Sequence, residues 1–158
     1  MDCIIKEGTK EPFMKITSSA FENNQFIPSK YTCDGNNINP PLQFSEIPEK
    51  TRSLVLIMED PDAPAGTWVH WVLYNIPAEL REIKENAQPQ GIQGITSFGN
   101  RGYGGPCPPS GKHRYYFKLY ALDTVLPVLD KQDKKIIEAK MQNHILIQAE
   151  LIGIYSRK

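Results

Sequence analysis

The chain carries no excess of either charge. Its 18 lysines and arginines balance 18 aspartates and glutamates. Nucleic acids and anionic membrane surfaces are held through a basic patch or stripe, so neither is expected as a partner. No apolar run approaches the ~20 residues of a membrane-spanning helix, and no stable membrane insertion is expected. The first residues, Met1-Asp2-Cys3-Ile4-Ile5-Lys6-Glu7, lack a basic segment followed by a long apolar one. No signal peptide is read there, and a cytoplasmic location is expected. Cysteine is scarce: Cys3, Cys33 and Cys107 make an odd number, for which a reducing compartment is the simpler reading. A Cys33–Cys107 pair stays open, because both residues lie in Gly-rich loops that could approach one site. Internal repeats, low-complexity tracts and a βαβ rhythm are also lacking.

Proline, by contrast, is abundant, with 13 residues in 158, more than the average usage of such a length. These prolines punctuate short segments of strand character, as in a mostly β fold. A single domain over 1–158 is long enough for a full core. Met14–Phe21 alternates apolar and polar residues and reads as a first strand. Phe26-Ile27-Pro28 and Tyr31-Thr32 read as a short strand before the turn Cys33-Asp34-Gly35-Asn36-Asn37. Pro40-Pro41-Leu42-Gln43-Phe44 reads as an edge segment. Ser53–Glu59 is a near-continuous apolar run, the pattern of a strand covered on both faces. Val69–Ile76, Arg114–Leu122 and Ile145–Tyr155 read as further strands. A helical turn is expected near Ala78–Glu85. Asp133–Asn143 holds the one convincing helix, capped by Asp130 or Asp133, with Ile136, Ile137, Lys140, Met141 and His144 on one face. His144, at the helix end and facing its dipole, reads as structural. Many short strands with Pro/Gly turns and one or two short helices argue for an antiparallel sandwich.

Two stiff loops organise the chain. Asp60-Pro61-Asp62-Ala63-Pro64 places two carboxylates between prolines, which fix φ and extend the preceding residue. The strand after it brings Trp68, His70, Trp71 and Tyr74. Gly102-Tyr103-Gly104-Gly105-Pro106-Cys107-Pro108-Pro109 then leads into His113-Arg114-Tyr115. Taken singly, each feature has a bland reading. Asp60 and Asp62 could cap a turn, His70 could be a core histidine, and His113 could be a surface residue beside Lys112. Together, two histidines delivered by two rigid loops point to a small preformed polar pocket. Successive glycines expose backbone N–H groups that suit anions, and imidazole titrates near neutrality. A small anionic ligand is therefore expected. A bare dianion would be repelled by Asp60 or Asp62 unless that carboxylate were neutralised, and a zwitterionic head group would also fit. Trp68 or Tyr103 is expected at the pocket mouth, and a nucleophilic Cys107 has no dyad partner nearby. A tight turn at Ala63-Pro64 suggests a cis peptide. The rival class is a hydrolase-like enzyme using Asp60, Asp62, His70 and His113 as an acid/base or metal set. That set lacks settled zinc-ligand spacing, so no metal, cofactor or catalytic residue is expected.

The same pieces, with Tyr31-Thr32-Cys33-Asp34-Gly35 and Pro40-Pro41-Leu42, occur in order over roughly residues 14–155. In this the chain resembles the phosphatidylethanolamine-binding proteins, also called Raf kinase inhibitor-like proteins, in their prokaryotic branch. The resemblance implies an antiparallel Greek-key β-sandwich with a small anion pocket at one end. It implies Asp60, His70 and His113 as pocket residues, backbone contacts from Gly104, Gly105 and Pro106, and Tyr115 as a wall, with Asp62 and Pro64 in the same loop. It implies a binding protein for phosphate or a phosphorylated head group, with a regulatory or inhibitory role toward a kinase or protease. The animal branch closes its pocket with a C-terminal helix. Here the sequence ends just after its closing strand, so a more open pocket, or one closed by a partner chain in a homodimer, is expected. The loop between Pro109 and His113 is shorter than in animal members, which weakens a transfer of kinase binding.

Overall fold

The computed structural model describes residues 13–157. These contain nine strands: β1 (Lys15–Thr17), β2 (Gln25–Phe26), β3 (Leu42–Ser45), β4 (Ser53–Asp60), β5 (Trp68–Pro77), β6 (Glu82–Ile83), β7 (Ile92–Gln93), β8 (Lys112–Leu122) and β9 (Ile145–Ser156). The α-helix α1 spans Lys134–Met141. A six-stranded sheet runs β2-β9-β8-β4-β5-β7, and a three-stranded sheet runs β1-β3-β6. The fold is mostly β, as expected. One pair departs from the antiparallel rule: β2 lies parallel to β9, with Gln25 opposite Gly153.

Burial explains the apolar run at the centre. Every residue of β4 is buried, because both faces of the large sheet are covered. On one face Leu54, Leu56 and Met58 join Trp71, Leu73, Phe117 and Leu119, closed over by Ile16, Leu42, Phe44 and Ile83 of the small sheet. On the other face Val55 and Ile57 pack with Val72, Tyr120 and Leu122 beneath Ile137 and Met141 of α1. Alternation along one strand thus feeds two cores.

The Asp133 side chain caps α1, accepting a hydrogen bond from the Ile136 N–H at 3.0 Å. Only Ile137 and Met141 turn fully inward, while Ile136 is exposed. His144 Nδ1 pairs with Asp123 Oδ1 at 2.8 Å, which ties the end of α1 to the end of β8.

Several local expectations are corrected. The first strand stops at Thr17, where the Ser18 hydroxyl accepts the Ala20 N–H and bends the chain. Tyr31 sits in a 3-10 turn over Ser29–Tyr31 rather than in a strand. The Pro40–Phe44 segment is not an edge. Its prolines precede the ladder, and Leu42–Ser45 is the inner strand between β1 and β6. No helical turn forms at 78–85. That stretch is a turn followed by β6, with Arg81 Nη1 bonded to the Ala78 and Leu80 carbonyls.

Candidate functional site

The site lies where β4, β5 and β8 end beside two loops. Asp60 is the last residue of β4, and period-2 alternation puts it on the same face as Leu56 and Met58. His113 and Tyr115 reach that face from β8 by the same rule. His70 does not. In β5, Trp71 and Leu73 face the small sheet, so a regular strand would send His70 to the opposite side. The register slips by one residue between the pairs Met58–Trp71 and Glu59–Val69, which leaves His70 as the extra residue of a bulge. The bulge turns His70 onto the face of Trp71 while Val69 packs against the helix-side core.

These side chains line a cavity of about 220 Å³. Its polar members are Asp60, His70, His113 and Tyr115. Ala63, Pro64, Trp68, Phe98, Pro108 and Pro109 form apolar walls, with Cys107 beside them. Asp60 Oδ2 accepts a hydrogen bond from His113 Nδ1 at 2.7 Å, and Asp60 Oδ1 accepts the Asp62 N–H at 2.7 Å. His70 Nδ1 lies 2.7 Å from the Gly104 carbonyl oxygen. A carbonyl only accepts, so Nδ1 carries the proton. Burial holds the His70 pKa below its ordinary value, although the Gly104 carbonyl and the Asp60 charge oppose it. The neutral ring therefore keeps a lone pair on Nε2. The Tyr115 side chain is fully buried, and its hydroxyl, though close to Asp60, makes no hydrogen bond of sound geometry to a described residue. Burial and the nearby Asp60 charge raise its pKa, so it stays a neutral O–H donor. The rings are nested: His70 meets Phe98 and Tyr115 edge to face at 5.4 and 5.3 Å, and Trp68 meets Phe98 likewise at 5.4 Å.

The remaining expected residues lie elsewhere. Asp62 does not line the cavity. Its carboxylate receives Arg114 Nε and Nη2 at 2.9 and 2.8 Å and the Arg114 N–H at 2.9 Å, a fork that clamps the loop to β8. Gly104, Gly105 and Pro106 stand behind the wall rather than in it. The Gly104 and Gly105 N–H groups go to the His70 carbonyl and to Asn37 Oδ1, so they form no anion-binding nest. Glycine is needed at 105 for another reason: a Cβ there would lie 2.2 Å from the Tyr31 carbonyl oxygen. Tyr103 is largely buried and donates its O–H to the Tyr31 carbonyl, so of the two aromatics Trp68 is the one that lines the cavity. Phe98 was not anticipated; an aromatic between turn formers, Thr96-Ser97-Phe98-Gly99, was the available signal.

One loop expectation is overturned, and one pairing that the sequence left open is decided. No cis peptide occurs among the described residues. The Asp60 side chain caps the turn, the Gly66 N–H reaches the Ala63 carbonyl, and Gly66 at φ +109 completes the reversal with trans prolines. Cys33 and Cys107 are bonded to each other, with Cα atoms 5.4 Å apart. The free-thiol reading therefore fails for both, because the two loops meet, and Cys107 is not a free nucleophile. Cys3 lies outside the described residues. Among those residues no group of three or more His, Cys, Asp or Glu side chains is placed to hold a metal ion, and no helix is long and apolar enough to cross a membrane.

The family model described as phosphatidylethanolamine-binding protein matches residues 17–156. The UPF0098 protein of Methanothermobacter thermautotrophicus is 47% identical over 150 residues, spanning 91% of this chain and 99% of its own. The UPF0098 protein of Chlamydia muridarum is 48% identical over 149 residues, spanning 91% of this chain and 99% of its own. The crystal structure of a phosphatidylethanolamine-binding protein homologue from Chlamydia trachomatis superposes with a TM-score of 0.91 at 44% identity, covering 94% of this chain and all of its own. The Escherichia coli protein YbcL, described as a new member of the mammalian family, gives 0.85 at 31% identity over 92% of this chain and 99% of its own.

The Asp62 clamp predicts a pH signature. Hydrogen bonds from Arg114 hold the Asp62 pKa at about 2, below its ordinary 3.8. The stability from this depressed pKa is complete above the unfolded value and is lost as pH falls through the folded one. Asp62→Asn should lower stability at neutral pH by about 1 kcal/mol at most, since Arg114 is half exposed. In urea unfolding, the gap between parent and variant should hold down to about pH 5 and close between about pH 4 and 2. A gap independent of pH would refute the clamp.

Proposed function

The chain belongs to the phosphatidylethanolamine-binding protein family, and from that premise we propose that its cavity binds a small oxyanion, a phosphate or phosphorylated head group that still carries a proton or an ammonium group. The observation that supports this reading is the convergence of Asp60, His70, His113 and the unpartnered Tyr115 hydroxyl on one small cavity. At about 220 Å³ it falls below the ~300–1,000 Å³ of pockets for drug-sized ligands. Tyr115 offers a donor to an oxyanion oxygen. Neutral His70, its Nδ1–H spent on Gly104, offers an acceptor at Nε2. A phosphomonoester dianion without an ammonium group would have no proton to give that acceptor and would face the Asp60 charge, whereas hydrogen phosphate or a zwitterionic head group can give one. Pro64, Trp68 and Phe98 suit a short hydrocarbon portion.

A regulatory or inhibitory role toward a kinase or protease is proposed from family resemblance alone. A panel of serine proteases assayed at large molar excess would test it, and unchanged rates would remove that role. A second reading, a hydrolase, has one observation in its favour: Asp60 and His113 stand 2.7 Å apart as an acid/base dyad would.

Calorimetry with O-phosphoethanolamine separates these readings. The binding reading expects saturable one-to-one heat, loss of binding in His70→Ala, and weakening in Tyr115→Phe by roughly tenfold or more, as for one hydrogen bond to a charged group. Phosphorus NMR of the mixture should recover the ligand unchanged. Steady release of inorganic phosphate would favour the hydrolase, and absence of saturation would sink the pocket.

A further inference from the structure

The Cys107 side of the cavity is held in an unusual way. Upstream of it, the loop is well tied by hydrogen bonds. Gly104 exchanges bonds with His70, Gly105 donates to Asn37, the Tyr103 hydroxyl reaches the Tyr31 carbonyl, and the Cys33 N–H reaches the Pro106 carbonyl. The ties then stop. From Cys107 to Gly111 no backbone group hydrogen-bonds to another described residue, and Pro108 and Pro109 have no N–H to give. The β8–β9 ladder resumes at Lys112. Yet Cys107, Pro108 and Pro109 supply one wall of the cavity. The bond from Cys107 to Cys33, 74 residues away, is the covalent tie that fixes this stretch against the Ser29–Tyr31 turn. Both cysteines are exposed as whole residues. A disulfide that a thiolate can reach is open to exchange.

We propose that Cys33–Cys107 is a thiol–disulfide exchange site that latches the pocket wall, with a dithiol as its reductant and ligand affinity as its output. The inference about affinity rests on the oxyanion-pocket reading above; the latch itself does not. In the exchange, a thiolate of the dithiol attacks one sulfur of the bridge. The protein S–S bond breaks, a mixed disulfide forms, and the other cysteine leaves as a thiolate that takes up a proton. The second thiol of the reductant then displaces the first cysteine. The reductant is released as its own disulfide and the protein holds two thiols, a transfer of two electrons and two protons. A disulfide oxidant reverses the sequence. In the reduced state Cys107–Ser110 keeps only packing contacts, so the wall loosens and a ligand must re-order it on binding.

The test uses the full chain carrying Cys3→Ser, so that only the bridge is counted. A thiol-reactive dye should find no thiols before dithiothreitol and two after it, under native conditions. On reduction, the amide NMR signals of Cys107, Ser110 and Gly111 should shift or broaden. Inorganic phosphate, followed through the imidazole signals, should bind more weakly by on the order of tenfold, the cost of re-ordering about one freed residue. The variant carrying Cys33→Ser and Cys107→Ser should behave as the reduced protein; should it not fold, reduced parent protein gives the same comparison. A bridge that dithiothreitol cannot open overturns the proposal. So do two free thiols with unmoved loop signals, or with phosphate affinity within twofold. If the oxidised protein binds no phosphate, the pocket reading has failed, and the loop amides still decide the latch.

Discussion

Asp60 is 3% exposed, at the end of a strand with no solvated residue. A buried carboxylate is costly unless each oxygen finds a donor, and that constraint shapes everything around it. One oxygen draws the Asp62 N–H back and so sets the turn of the proline loop. The other holds the His113 Nδ1–H from 53 residues away and so aligns the end of β8. With Asp60 satisfied, His113 presents its second nitrogen, Tyr115 is stacked beside it, and the Tyr115 hydroxyl is left without a well-aligned partner among the described residues. The pocket is thus the residue of solving one burial problem with polar groups that themselves need partners.

The walls are fixed by a second set of ties outside the cavity. The Arg114 fork on Asp62 holds the first loop from the solvent side, and the Gly104–His70 exchange holds the second from behind. The glycines serve the close approach of backbones, not the ligand. The two loops differ in kind. The Asp60–Gly66 loop is pinned by hydrogen bonds along its length, whereas the last residues before β8 depend on a sulfur–sulfur bond. One wall is therefore stiff by geometry and the other by chemistry.

Much of this was legible in the sequence. The long strands announced themselves through the apolar run at Ser53–Glu59 and the alternation in Arg114–Leu122, since burial on one or two faces writes directly into residue type. The Asp133 cap was readable because capping is local. Asp60, His70 and His113 stood out by the company they keep, and Tyr115 through the family resemblance; the fold brings the four to one cavity. What could not be read depends on distant partners. Leu42–Ser45 became an inner strand because β6 pairs with its far side. The bulge at His70 exists only relative to β4, and it alone places that ring in the cavity. Asp62 looked equivalent to Asp60 until Arg114, 52 residues on, claimed it. The Gly-rich loop suggested an anion nest because its N–H acceptors, the His70 carbonyl and Asn37, lie far away in sequence.

Asp60 and Gly104 fix the two imidazoles with Nδ1–H directed at protein, and the proposed oxyanion meets Nε2 of each. Nitrogen-15 NMR of the His70 and His113 side chains during a phosphate titration tests this most directly. The account predicts a protonated Nδ1 on both rings and a neutral His70 near neutral pH. It also predicts saturable movement of both Nε2 signals as phosphate is added. A His70 ring protonated at Nε2 instead, or rings that phosphate leaves unmoved, would contradict it and turn attention to the outer faces of the sandwich.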